Sequence, residues 1–126
     1  MKIHVDPNTD SSGFDYATPG RYALRVAKVT NEKGPKAPYL AWRFEFADVN
    51  TIGATGKKCG NIFENTTLKS GDNAQFRLKQ LCDALGVAWG DFDTEDTIGH
   101  EFMAEVGTEL YQGVMKNVVT KYIPKA

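Results

Sequence analysis

From Arg21 to Val29 the apolar and polar positions alternate, with Tyr22, Leu24 and Val26 on one side and Arg21 and Arg25 on the other, the period of a half-buried strand. The alternation returns from Tyr39 to Asp48, with Leu40, Trp42, Phe44 and Phe46 on the core side and Tyr39, Arg43 and Glu45 opposite them. Between these runs the Gly, Pro and Lys residues of 30–38 predict a loop. Lys57 to Leu68 reads as a third, weaker strand interrupted by Gly60 and a run of Asn and Thr. The period then changes: Ala74, Leu78, Leu81, Cys82 and Leu85 recur at helical spacing, with Asp72 and Gln75 as a capping pair and Gly86 as the stop. After an acidic connector, His100 to Val106 turns Phe102, Ala104 and Val106 inward. Tyr111 to Ile123, broken at Gly113, is the last strand.

The predicted order is thus β-β-β-α-β-β, all-β with one helix. A five-stranded OB-fold barrel has this order, and closing the sheet removes most of its exposed edges. An α+β sheet covered by a single helix shares it. Residues 1–19, rich in Pro, Asn, Ser and Gly, are expected to form an N-terminal arm or loop, with the barrel domain spanning 20–126.

A chain of 126 residues has room for one domain and can bury a core without disulfides or metal. The sequence contains no apolar run near the roughly 20 residues of a membrane span, nor the apolar segment of a signal peptide after Met1. The expected place is the cytoplasm, with no membrane partner. Cys59 and Cys82 lack further Cys or His at metal-ligand spacing and read as buried or half-buried thiols.

The net charge of −1 conceals segregation along the chain. Residues 1–89 carry 12 Lys and Arg against 9 Asp and Glu, residues 90–109 carry none against 7, and residues 110–126 carry 3 against none. Screening over about 10 Å isolates such regions, so a positive face can meet phosphates on a nearly neutral protein.

Catalytic motifs are absent on physical grounds. Gly53-Ala54-Thr55-Gly56-Lys57-Lys58 imitates a phosphate loop, but its glycines stand too close, no Ser or Thr follows the lysine, and no helix comes next. A hairpin turn accounts for it. Asp91, Asp93 and Glu95 imitate a calcium loop, yet Asp96 replaces the required Gly and Phe102 the closing Glu; they read as a solvated connector capping a short helical turn. His4 and His100 are isolated, and Ser11, Ser12 and Ser70 lie in loop-like contexts without a nucleophile elbow. The expectation is a non-enzyme without cofactor or metal.

Single-strand binders combine cations that follow phosphates with rings that stack bases, each stacked base contributing about 1–3 kcal/mol. The polar face of the second strand carries Tyr39 and Arg43 after a loop holding Lys36. Arg25 and Lys28 on the first strand, Lys57 and Lys58 at the start of the third, and Tyr111, Lys116, Lys121 and Tyr122 on the last extend the set. Trp42, Phe44 and Phe46 are assigned to the core.

Six segments in their order carry a family resemblance: Pro19-Gly20-Arg21-Tyr22, Leu40-Ala41-Trp42-Arg43-Phe44-Glu45-Phe46, Gly56-Lys57-Lys58, Ala84-Leu85-Gly86, Ile98-Gly99-His100-Glu101-Phe102 and Asn117-Val118-Val119-Thr120-Lys121-Tyr122-Ile123-Pro124. Together they resemble the single-stranded DNA-binding proteins of tailed bacteriophages and their prophage-encoded relatives, from about Pro19 onward. That resemblance implies an OB-fold, sequence-tolerant binding of single-stranded DNA during replication, recombination or repair, and no cofactor. Its further partners would be replication or recombination proteins and, in a homo-oligomer, copies of itself. The rival expectation is a non-enzymatic structural or protein-interaction module of a phage.

Overall fold

The computed structural model describes residues 15–69, 75–89 and 93–125. Five strands and one helix follow the order read from the sequence: β1 (Gly20–Lys33), β2 (Pro38–Phe46), β3 (Ile62–Thr67), α1 (Phe76–Leu85), a 3-10 turn (Thr94–Thr97), β4 (Glu101–Tyr111) and β5 (Val114–Ile123). All neighbouring strands pair antiparallel, in the order β3-β2-β1-β4-β5, so β3 and β5 are the edges of the sheet.

The alternation in β2 has its full effect: Leu40, Trp42, Phe44 and Phe46 are buried while Tyr39, Ala41, Arg43 and Glu45 lie on the outer face. Leu24 and Val26 of β1, Ile62 of β3, Phe102, Ala104 and Val106 of β4, and Val119 and Tyr122 of β5 complete the inner face, against Leu78, Leu81, Cys82 and Leu85 of α1. Rings organise this core, Phe44 meeting Phe102 edge to face at 4.9 Å. The indole of Trp42 donates to Thr66 Oγ1 at 2.8 Å, so its one polar atom is paired where it is buried. The helix ends where expected, with Gly86 in the left-handed region at φ 76° and its N–H bonded to Cys82 O. Asp72 of the expected capping pair lies outside the described residues; Gln75 donates through Nε2 to Leu68 O.

Four boundaries differ from the sequence reading. The first strand continues through the expected loop to Lys33, its last residues pairing with Ala41 to Pro38 of β2. The third strand begins at Ile62, and Lys57 and Lys58 belong to the preceding loop, where Ile52 bridges Lys58. Gly60 and the turn at 53–56 break the alternation that a strand through Lys57 would need. The fourth strand runs on to Tyr111, because a two-residue turn at Gln112 (φ 50°) and Gly113 (φ 79°) reverses the chain there. Asp15–Ala17 are not loose: Asn117 accepts from Ala17 N at 2.7 Å and donates to its carbonyl at 2.9 Å, and Ala17 is fully buried.

Between the two edges sits one side chain of the helix. Arg77 donates to Glu64 of β3 at 2.7 Å and to the Val119 carbonyl of β5 at 3.0 Å, with its guanidinium 4.8 Å from the Tyr122 ring centre. No helix among the described residues is long and apolar enough to cross a membrane.

Candidate nucleic-acid interface

Side chains directly opposite one another on paired strands share a face, so register alone locates neighbours on the outer surface of the sheet. The outer face is banded. Phe63 of β3 stands opposite Arg43 of β2, and Arg43 opposite Lys28 of β1, making a row of ring, guanidinium and ammonium. Phe63 is 68% exposed, unusual for a phenylalanine with no polar atom to hold in water. The next row along is Glu45, Arg25 and Glu101, and beyond Ala23, Met103 and Ile123 comes Arg21, Glu105 and Lys121.

The rows differ in how their cations are satisfied. Arg25 is paired on both sides, at 3.3 Å to Glu45 and 3.5 Å to Glu101, and also donates to Ala47 O at 2.9 Å. Its charge is therefore balanced in place by two carboxylates, unlike those of the row before it. Arg21 is likewise paired with Glu105 at 3.3 Å. Among the described residues no carboxylate reaches Arg43 or Lys28, although the two are cross-strand neighbours of like charge, an arrangement that costs stability. Arg43 Nε is buried with no hydrogen-bond partner among the described residues. Opposed, unpaired cations beside an exposed ring are an open invitation to a polyanion that carries flat bases.

Two more predicted residues lie farther along β2, toward the β1–β2 turn. Tyr39 lies on the same outer face of β2, opposite Glu32 of β1 and Thr67 of β3, half-buried with its ring over Gly34. A Cβ on Gly34 would come within 3.2 Å of the Tyr39 ring and 2.6 Å of Ala37 O, so glycine there lets the turn close against the ring. Lys36 is exposed in that turn between β1 and β2.

The others are scattered. Lys57 and Lys58 are exposed in the connection between β2 and β3, at the opposite end of β2 from Lys36. Their loop is tied to Asp15, whose carboxylate accepts from Thr55 N at 2.6 Å, Thr55 Oγ1 at 2.7 Å and Lys57 N at 3.4 Å. Burial works to raise the Asp15 carboxyl, but the bonds from Thr55, Tyr16 and Lys57 outweigh it and hold the group below its ordinary range. Tyr111 and Lys116 meet at the tip of the β4–β5 hairpin, the ammonium 4.7 Å from the ring centre. Lys121 faces Glu105 at the β5 edge, with three strands between it and Phe63.

Tyr122 requires outright correction as a base-stacking residue. Its ring is 2% exposed, packed against Phe44 and Phe102 beneath Arg77. Burial, together with the Glu64 charge, drives its hydroxyl far above the usual tyrosine range against the opposing influence of Arg77. The β5 bulge opposite Glu105 and Val106 shifts the strand phase between Val119 and Lys121, so a reading at constant period cannot tell which face Tyr122 takes.

Phe63 is the residue the sequence reading missed. Its signal was present: Ile62 and Thr66 face inward, and strict alternation turns Phe63 out. Both thiols are free, Cys82 buried and Cys59 half-buried. Burial and the Asp83 charge push Cys82 up to about 11 against the pull of Lys79. Compared with protein-family models and with curated proteins, the chain has no match.

Proposed function

We propose that this protein is an OB-type barrel that binds single-stranded DNA with little sequence preference, through the outer face of β1, β2 and β3. The observation that carries this reading is the row of Lys28, Arg43 and Phe63, two cations without acidic partners among the described residues next to an aromatic ring left in water. Lys36 and Tyr39 lie beyond the row toward the β1–β2 turn, while Lys57 and Lys58 flank it at the other end of β2. The strand order, the helix between β3 and β4, and Arg77 reaching both sheet edges support a barrel. In barrels of this kind the face of the second and third strands and the β1–β2 loop belong to the usual oligonucleotide surface. The resemblance to phage single-strand binders points to replication, recombination or repair in a bacterial cytoplasm as the setting.

In mechanism, Lys28 and Arg43 neutralise successive phosphates and release their counterions, and Phe63 takes a base on its exposed face. Stacking is indifferent to base identity because every base has a π-face, which gives sequence tolerance. A duplex hides its bases and cannot use the ring.

Titration of labelled oligo-dT tests the reading. Phe63→Ala should weaken binding by about 1–3 kcal/mol with the salt dependence kept, whereas Arg43→Ala should weaken it and lower the salt slope by about one unit. Equal affinity for duplex, or unchanged binding in both variants, refutes it. Tighter binding to a matched RNA would redirect it to RNA through the 2′-hydroxyl.

A further inference from the structure

The hairpin of β4 and β5 carries apolar side chains that neither the core nor the proposed DNA surface uses. Leu110 is 67% exposed, Tyr111 55%, Val114 59% and Met115 37%, clustered around the turn at Gln112 and Gly113. Leu110 stands opposite Met115 on one face of the hairpin and Tyr111 opposite Val114 on the other, so both faces are apolar at this end.

Among the described residues the side of the β5 backbone that faces away from β4 has no strand partner at the same place. Val119 turns its carbonyl away from β4, to Arg77, and Lys125 N, beyond the strand, bonds Asp83 O of the helix, so the C-terminal part of the edge is occupied. Asn117 and Met115 lie two and four residues back in the same phase and present their N–H and C=O outward in the same way. Among the described residues no backbone group bonds either from that side. Edges are ordinarily protected by proline, by charge or by a bulge. Val114 to Val118 has no proline, the β5 bulge lies beyond it, and its one charge, Lys116, is held over Tyr111.

We infer that β5 pairs antiparallel with β5 of a second copy of this chain about a two-fold axis through Met115, joining the two sheets. The register is self-complementary. Met115 faces the partner's Met115, with Leu110 outside each, giving a continuous apolar row across the axis. On the other face Val114 of each copy lies beside the partner's Lys116, which keeps its own neighbour Glu109. No like charges oppose one another in these rows, and the outward backbone groups of Met115 find their counterparts on the partner's Met115. A second copy fits better than a foreign strand because the same short segment supplies both halves of the pairing. The association does not depend on DNA.

Sedimentation of the full-length protein without DNA, at rising concentration, tests this. The expected mass is twice the 13.9 kDa of one chain. Met115→Lys should return it to the mass of one chain with an unchanged circular dichroism spectrum, while Met103→Lys, at an exposed apolar position on the outer face of β4, should leave the dimer intact. Met115→Cys places two thiols across the axis and should cross-link on mild oxidation far more than Met103→Cys, a readout that stands even if Met115→Lys fails to fold. A single-chain mass up to the solubility limit, a dimer that survives Met115→Lys in folded form, or equal cross-linking of the two cysteine variants overturns the inference.

Discussion

Asp15 shows how one carboxylate can organise a loop that its own sequence neighbourhood does not contain. Three donors from residues 55 and 57 converge on its Oδ2, and Gly53 passes so close that a Cβ there would lie 2.4 Å from Tyr16 O. The lowered carboxyl value carries a definite sign. A group depressed in the folded state contributes stability above its unfolded value, near 3.8, and loses that contribution as pH falls through the lowered value. Asp15→Asn should therefore lower the melting temperature at neutral pH, by a few degrees for a loss of about 1 kcal/mol, since solvent reaches these bonds. The gap between variant and wild type should close as the pH falls through the lowered value and the folded-state carboxyl takes up its proton. A gap that stayed constant with pH would mean that the loop is held by shape rather than by charge. Arg25 and Arg43 make the complementary point: both lie on the outer face of the sheet, yet one is flanked by acids and the other by a lysine and a phenylalanine.

Among the elements, α1 is the one whose position decides the most. Its apolar stripe seals the core, and Arg77 on the same helix reaches both β3 and β5. Glu64 is only 14% exposed at the side chain and Arg77 36%, so the pair is partly desolvated. Removing one partner strands the other charge, which costs more than the pair itself contributes. Arg77→Met should destabilise the protein by about 2 kcal/mol in urea unfolding, discounted from fully buried pairs for the exposure of the arginine. Adding Glu64→Gln to that variant should recover part of the loss, because the stranded carboxylate is gone; a purely additive double variant would show that the two residues do not act together. The helix, β1, β2 and β4 were legible in the sequence because each carries a clear period, while β3 and β5 showed only as a weak and a broken run. The limits of β3 and β4 were not legible, since a glycine-rich loop can imitate a weak strand and a two-residue turn interrupts alternation only briefly.

Across the whole molecule, charge bands matter more than the net charge of −1. The acidic stretch of 90–109 contributes Glu101 and Glu105, which neutralise Arg25 and Arg21, whereas Lys28 and Arg43 on the same outer face have no carboxylate partner among the described residues. On the proposed function, affinity for oligo-dT should fall steeply between low and moderate salt despite the near-neutral total, with a log–log slope of about −2 to −3 for three or four phosphate contacts on a single strand. A slope near zero would mean that stacking alone holds the strand and that the cation row is idle.

Periodicity by itself determined which side chains of β1, β2 and β4 enter the core and where the helix lies, because solvent sorts side chains element by element without reference to other elements. Pairing register and sheet curvature decided the rest. They set Phe63 beside Arg43, brought Arg25 between two glutamates, turned Tyr122 inward past a bulge, and left the end of β5 uncovered. Contacts between residues far apart in the chain depend on which strand lies next to which, and alternation within a single strand holds no information about its neighbour.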